Sequence, residues 1–284
     1  MKRCGSLTPA LLLLAVACGG PGATPRRDGQ RVVSLAPSLT EIVFAVGSGS
    51  NLAGRTSACD FPPESGAVPV VGDFGVPSME KLAAVNPTIV LELALADEAV
   101  GARMDRLGLN RRRIPCNRLA DIPTAVRSVG GLLGRADSAE AIATGIEEQV
   151  AALRAGLPPE AGRPTVFVEV WHDPVTTAGK ESFVADLVEL AGGRNIGNES
   201  PTPYYTVSSE WVIARNPDVI ITLYMAGGTK APTVAGRAGW LSVAAVRNGR
   251  VHGNLNNDLV LRPGPRVMEG VRLLKKCMEP VQTR

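Results

Sequence analysis

From residue 31 onward, short apolar runs alternate with segments whose apolar residues recur every three or four positions. Residues 31–35 (RVVSL) predict a strand, and 38–46 a helix that opens at Ser38 or Thr40. A helix follows Pro77-Ser78, then a strand at 88–91, a helix from about 96 to 107, a strand at 113–116 and a helix over 121–133. Strands alternating with helices of this length make parallel βαβ units. Residues 138–157 then form an unbroken helical pattern without proline. Twenty residues of helix span about 30 Å, enough to bridge two lobes. After Pro158-Pro159 the alternation restarts: strand at 165–170, helices at 182–190 and 208–214, strand at 218–222, and a last helix over 265–276.

An internal repeat supports two similar lobes. Residues 80–91 (EKLAAVNPTIVL) parallel residues 210–221 (EWVIARNPDVII), 130 positions on. Each copy runs glutamate, amphipathic helix, Asn-Pro stop, apolar strand. Proline disfavours helical geometry in the residue before it, so Asn86 and Asn216 end their helices. The fold class this pattern predicts is α/β: two Rossmann-like lobes with parallel sheets joined by a single long spine helix. The expected boundaries are an N-terminal lobe at 31–135, a linking helix at 136–158 and a C-terminal lobe at 159–284.

The first thirty residues read as an address. Lys2 and Arg3 precede an apolar stretch over 7–17, and these eleven residues are too few for a bilayer-spanning helix, which needs about 20. The pattern is a secretory signal peptide at 1–17. It ends Ala15-Val16-Ala17-Cys18, which resembles a bacterial lipobox, although that pattern prefers leucine where Ala15 stands. The resemblance implies that Cys18 is diacylated and becomes the first mature residue; plain secretion is the alternative. Residues 18–30 are rich in Gly and Pro and read as a flexible tether. The chain is then expected outside the cytoplasm, in the periplasm or at the cell surface.

Composition narrows the function classes. Lys+Arg of 30 against Asp+Glu of 27 leaves a net charge of +3, too small and unclustered for a nucleic-acid partner. Two histidines, His172 and His252, exclude a His-rich metal site, and no metal site is expected. Without Cys4 and Cys18, the cysteines are Cys59, Cys116 and Cys277. In an oxidising compartment Cys59 and Cys116 are a possible disulfide. Eight of the 11 aromatic residues lie beyond residue 160, so the C-terminal lobe would supply most ring contacts to a ligand. Trp171 follows the first strand of that lobe, and Tyr204 and Tyr205 stand in a Pro-rich loop, as docked rings or as packing under the loop.

Five stretches together resemble the substrate-binding proteins of bacterial ABC importers, in the helix-linked class that carries vitamin B12 and iron siderophores. They are 31–41 (RVVSLAPSLTE), 59–63 (CDFPP), 179–182 (GKES), 190–195 (LAGGRN) and 262–266 (RPGPR). The resemblance spans residues 31–277 and is greatest to the vitamin B12-binding members. It implies a monomer that captures a small molecule between its lobes and hands it to an ABC permease dimer with ATPase subunits, without a catalytic cofactor. The implied ligand is cobalamin, with a ferric siderophore or haem as the alternative. Carried over by this resemblance, the cleft positions fall on Pro37, Ala58, Phe74, Leu93, Thr176, Tyr204, Asp258 and Arg262. Ala58, Leu93 and Thr176 stand where the family has rings. Asp258 and Arg262 form a polar pair for the ligand or a local i,i+4 ion pair. Glu80 and Glu210, one per repeat, match the family's permease-docking acids, and they also sit where acids favour a helix's first turn.

An extracytoplasmic enzyme, such as a hydrolase using His172 or His252, is the reading from another class. Neither histidine has a spacing that identifies a triad, and Gly47-Ser-Gly-Ser50 makes no nucleophile elbow. Gly179-Lys180 is followed by Glu181, not the Ser or Thr of a phosphate-binding loop.

Overall fold

A computed structural model of the protein describes residues 29–93, 95, 97–224 and 234–279. The expected signal segment, nearly all of the tether and Cys18 lie outside the described residues. The N-terminal lobe runs β1 (Val32–Ser34), α1 (Pro37–Ala45), β2 (Leu52–Thr56), β3 (Val70–Asp73), β4 (Val76–Pro77), α2 (Met79–Ala84), β5 (Ile89–Glu92), α3 (Glu98–Arg106), β6 (Arg111–Arg113) and α4 (Asp121–Leu133). Then come α5 (Ala136–Ala155), β7 (Thr165–His172), β8 (Val175–Ala178), α6 (Phe183–Leu190), β9 (Arg194–Asn195), β10 (Tyr204–Thr206) and α7 (Ser209–Arg215). The chain closes with β11 (Val219–Thr222), α8 (Ala244–Arg247), β12 (Val251–His252), α9 (Asp258–Leu261) and α10 (Val267–Met278).

Each lobe is built on one sheet. Strand order is β4-β3-β2-β1-β5-β6 in the first, and β10-β8-β7-β11-β12 in the second, with β9 also paired to β7. The central strands β1, β5 and β11 are buried throughout. Such continuous apolar runs belong to parallel strands covered on both faces. The sheets are not wholly parallel, however: β4 pairs antiparallel with β3, and β8 runs antiparallel to both β7 and β10. These hairpins were invisible as period-2 patterns because they are two to four residues long and half solvated. The strand expected at 113–116 lies instead at Arg111–Arg113. It is the edge strand of its sheet, so three arginines tolerate the position, while Ile114 and Cys116 drop into the core from the following loop.

The repeat recurs in three dimensions. Ser78 and Ser208 cap α2 and α7, each side-chain oxygen accepting from the backbone N–H three residues on. Asn86 and Asn216 close those helices in the left-handed conformation, both at φ 43°. Asparagine tolerates that region better than most residues.

The spine α5 packs along α4, where Gly130 comes so close that a Cβ there would sit 2.2 Å from the Ala139 methyl. Its buried face (Ala139, Ala143, Ile146, Val150) joins an apolar core that continues into both sheets. Ion pairs complete the junction. Arg266, which leads into α10, donates twice to the Glu41 carboxylate on α1, at 2.8 and 2.6 Å. Arg118 does the same to Asp186 on α6. Glu41 is only 3% exposed and Arg266 16%.

The possible Cys59–Cys116 disulfide is not formed: both thiols are free and buried. Cys59 Sγ lies 3.0 Å from Thr56 Oγ1, whereas Cys116 Sγ donates to the Pro263 carbonyl across the junction. Burial pushes the Cys116 thiol up to about 12, which keeps it protonated and unreactive.

Removing one partner of a buried ion pair leaves an uncompensated charge. Glu41→Ala should therefore destabilise the protein by about 3 kcal/mol in urea unfolding, and Glu41→Ala with Arg266→Met should recover part of that.

Candidate functional site

Parallel strands end together, and in open α/β sheets the ligand crevice lies beyond their carboxyl ends. Here the loops beyond those ends are tied across the junction. Arg262, at the end of α9, donates to Asp60 Oδ1 (2.6 Å) and to the Ala58 carbonyl (3.4 Å), both in the loop after β2. Asn257 donates to the Tyr224 carbonyl at 2.6 Å, joining the loop after β12 to the one after β11. The Arg262 contacts thus bring segments of both lobes together at the junction.

Of the expected cleft residues, Ala58, Asp258 and Arg262 stand on these segments, and the others on separate elements of the two lobes. Pro37 opens α1 directly after β1, and Leu93 follows β5, half-buried against the core. Phe74 occupies the turn between β3 and β4 with 48% of its surface exposed. Trp171, near the end of β7, is 42% exposed. A register shift between Glu169 and Trp171 re-aims it, as bulges beside binding sites do. Its indole N–H donates to the Asp173 carbonyl at 2.9 Å, which fixes the ring. Thr176 sits opposite Trp171 on β8, its hydroxyl donating to the Pro174 carbonyl.

The two tyrosines of β10 part company. Tyr204 is exposed and pairs with Ala178, two residues back from the row that holds Thr206, Thr176 and Trp171. Tyr205 turns to the other face, as successive strand residues do. Its ring packs edge-on against Trp211 at 6.2 Å, and its hydroxyl donates to the Gly197 carbonyl. Tyr205 is therefore committed to packing under its loop, the plainer of its two readings.

Asp258 and Arg262 do form an ion pair, at 2.9 Å, but the pair is not free. Arg262 is only 15% exposed and also faces Asp60 at 2.6 Å and Glu41 at 3.7 Å. The hydrogen bond from Arg262 holds the Asp60 carboxyl below its ordinary range. Its contribution is therefore present above the usual carboxylate pKa and lost as pH falls through the lowered value. Asp60 and Glu41 carried no expected role. Both lie in stretches that carry the family resemblance, Glu41 at the end of 31–41 and Asp60 within 59–63, and Glu41 stands beside the apolar run Ile42-Val43-Phe44.

A second buried cluster supports the wall beside Trp171. Glu169, fully buried on β7, accepts two hydrogen bonds from Arg237 (2.6 and 2.7 Å) and one from the Tyr224 hydroxyl. Burial, and then the Glu169 carboxylate, hold the Tyr224 phenol well above its usual pKa, so it remains a donor. The Tyr224 ring meets His172 edge-on at 5.5 Å, and His172 lies 5.7 Å from Trp171.

Glu80 and Glu210 are exposed in the first turns of α2 and α7, at equivalent places in the two lobes. The groups a hydrolase would need are dispersed. Ser48 and Ser50 precede β2, at the amino edge of their sheet, whereas His172 and His252 end β7 and β12 with β11 between. Among the described residues no three potential metal ligands cluster, and no helix is long and apolar enough to cross a membrane.

The architecture is two α/β lobes joined by one long spine helix. Residues 32–253 match the periplasmic binding protein family, and the chain belongs to it. It is 27% identical to an uncharacterized ABC transporter substrate-binding lipoprotein of Bacillus subtilis, over 99% of this chain and 98% of that one. It is 28% identical to the vitamin B12-binding protein of Pectobacterium carotovorum, over 84% of each. The structure of a periplasmic heme-binding protein from Roseiflexus superposes with a TM-score of 0.77 at 26% identity, covering 88% of this chain and 99% of that one.

Replacing Arg262 by Gln should return the Asp60 carboxyl toward its ordinary pKa, read by carboxyl NMR titration. An Asp60 titration identical in the two proteins would mean that Arg262 does not hold it.

Proposed function

We propose that the chain is the lipid-anchored substrate-binding component of an ABC importer, held at the membrane through Cys18. It captures cobalamin between its lobes and delivers it, chemically unchanged, to a permease dimer with ATPase subunits. The observation that carries the ligand class is the charge left open at the junction. Arg262 is matched by three carboxylates and is 15% exposed, while Asp60 and Asp258 keep 62% and 44% of their side chains exposed. A carboxylate-bearing ligand such as haem, or an anionic ferric siderophore, would meet acceptors rather than open cations. A corrin rim carries amides, whose N–H groups donate to such acceptors, and its apolar faces suit exposed rings such as Phe74 and Trp171. The names of the Bacillus and Pectobacterium relatives agree with this reading.

Haem is the second reading, and the observation that favours it is the His172–Tyr224 pair beside Trp171. Titrating the purified chain with cyanocobalamin, haem and a ferric siderophore separates the cases. Micromolar or tighter cobalamin binding is expected, weakened about ten-fold by Trp171→Ala through the loss of one aromatic contact. No cobalamin binding alongside saturation by haem, with a shifted haem absorbance that His172→Ala abolishes, would reverse the assignment.

Glu80 and Glu210 are assigned to docking, one on each permease subunit. They are exposed, equivalent between lobes and at helix starts remote from the core. Glu80→Ala with Glu210→Ala should abolish uptake in cells while cobalamin affinity is unchanged; unimpaired uptake would overturn the docking assignment.

A further inference from the structure

Parallel neighbours in a sheet are joined by a crossover, usually a helix that satisfies its own backbone groups. The crossover from β2 to β3, residues 57–69, has instead one short turn of 3-10 helix at Pro63–Ala67. Pro62, Pro63 and Pro69 remove three backbone donors from it, so several of its carbonyls must be satisfied from elsewhere. The donor is one side chain. Arg55, half-buried on β2, turns its guanidinium into the loop. Its Nε donates to the carbonyls of Ser65 (2.7 Å) and Val68 (3.2 Å). One terminal nitrogen donates to those of Thr56 (3.1 Å) and Cys59 (2.9 Å), and the other to that of Gly66 (3.5 Å). Among the described residues no carboxylate pairs with Arg55. A guanidinium carries five N–H donors in a fixed planar fork, which lets a single residue serve a whole loop.

The loop so held carries three of the N-terminal lobe's contacts with the other lobe. The Ala58 carbonyl and Asp60 Oδ1 accept from Arg262, and the Phe61 ring lies under the Arg266 guanidinium, 3.5 Å from its centroid. The loop also braces the turn that bears Phe74: the Ser57 N–H donates to the Gly72 carbonyl at 2.9 Å, and the Ser57 hydroxyl to Asp73 Oδ1. The bonds from Arg55 fall where they set Asp60. The Cys59 carbonyl belongs to the peptide that leads into Asp60, and the Thr56 and Cys59 carbonyls bracket Ser57 and Ala58. A loop ordered in advance does not incur its ordering cost when a ligand arrives, and preorganised groups bind more tightly for that reason.

We propose that Arg55 is a positioning residue for ligand capture: through the Cys59–Asp60 peptide it holds the Asp60 carboxylate, and beyond it the Phe61 ring, in place at the junction. The inference rests on the junction being the ligand site, as assigned above. Asp60, with 62% of its side chain exposed, is the group that meets the ligand, and Arg55 acts through it. The ligand class such an acceptor serves is one bearing N–H donors, as the amide rim of a corrin does.

The test compares Arg55→Lys, Asp60→Asn and the double variant with the parent. Lysine keeps the charge but replaces the planar fork by a compact ammonium, so it cannot serve all five carbonyls. In Arg55→Lys the Asp60 carboxyl, held low by Arg262 in the parent, should titrate nearer its ordinary range by NMR. Cyanocobalamin should bind this variant about ten-fold more weakly, the scale of one charge-assisted hydrogen bond. Adding Arg55→Lys to Asp60→Asn should cost little further affinity, because both changes act on one contact. Circular dichroism verifies that each variant is folded, and Arg55→Gln gives the same comparison should the lysine variant not fold. An Asp60 titration unchanged by the Arg55 substitution, or affinity losses that multiply in the double variant, would overturn the proposal and leave Arg55 a support of the fold alone. A parent that does not bind cyanocobalamin would count against the transport reading, and the Asp60 titration would then decide the role of Arg55 by itself.

Discussion

The contact on which the rest of the structure depends is the meeting of Glu41 with Arg266 and Arg262 at the junction between lobes. Glu41 is an acid buried in the first helix, and its charge is acceptable only because the other lobe brings two guanidiniums to it. The pairing makes the lobes interdependent: neither can leave without stranding a charge. Together with Arg118 on Asp186 and the apolar face of α5, it holds the two sheets at one spacing. A cleft built this way has preset walls. Ligand capture then calls for small adjustments, in contrast to proteins that close on a flexible hinge.

The same cluster shapes the chemistry of the cleft. An arginine in a binding site usually reads as a hook for an anion. Arg262 is already balanced by Asp60 and Asp258, so what reaches solvent is the carboxylate edge of the cluster. The second cluster, Glu169 with Arg237 and Tyr224, works likewise inside the C-terminal lobe. It neutralises a buried acid and at the same time sets the position of a ring next to His172 and Trp171. In both places the charges are matched within the protein, and what stays exposed nearby is aromatic surface and carboxylate oxygens.

The duplicated plan gives the two lobes matching local features. Ser78 and Ser208 start equivalent helices, Asn86 and Asn216 end them at the same left-handed angle, and Glu80 and Glu210 occupy the same exposed turn. This much was legible in residue order alone, because caps, proline stops and apolar strands are local signals. Helix α4 was read with its observed bounds for the same reason. Trp171 was singled out by its place after the first strand of its lobe, and Phe74 through the family resemblance. The short hairpin strands β4, β8 and β10 left no periodic trace, and the arginine strand β6 was misplaced because edge position, not side-chain pattern, allows it.

By itself the sequence determined the α/β alternation, the spine, the repeat and the list of residues able to carry a binding site. Each of these depends on near neighbours in the chain. Only the tertiary structure decided which of those residues are available. It gave Arg262 to Asp60, 202 positions away, and Arg266 to Glu41, 225 away. It turned Tyr205 under its loop, and it left Cys59 and Cys116 as separate buried thiols. Partners so distant in sequence carry no periodic signature, and the competition between ligand and protein for a charged side chain is settled only where the lobes meet.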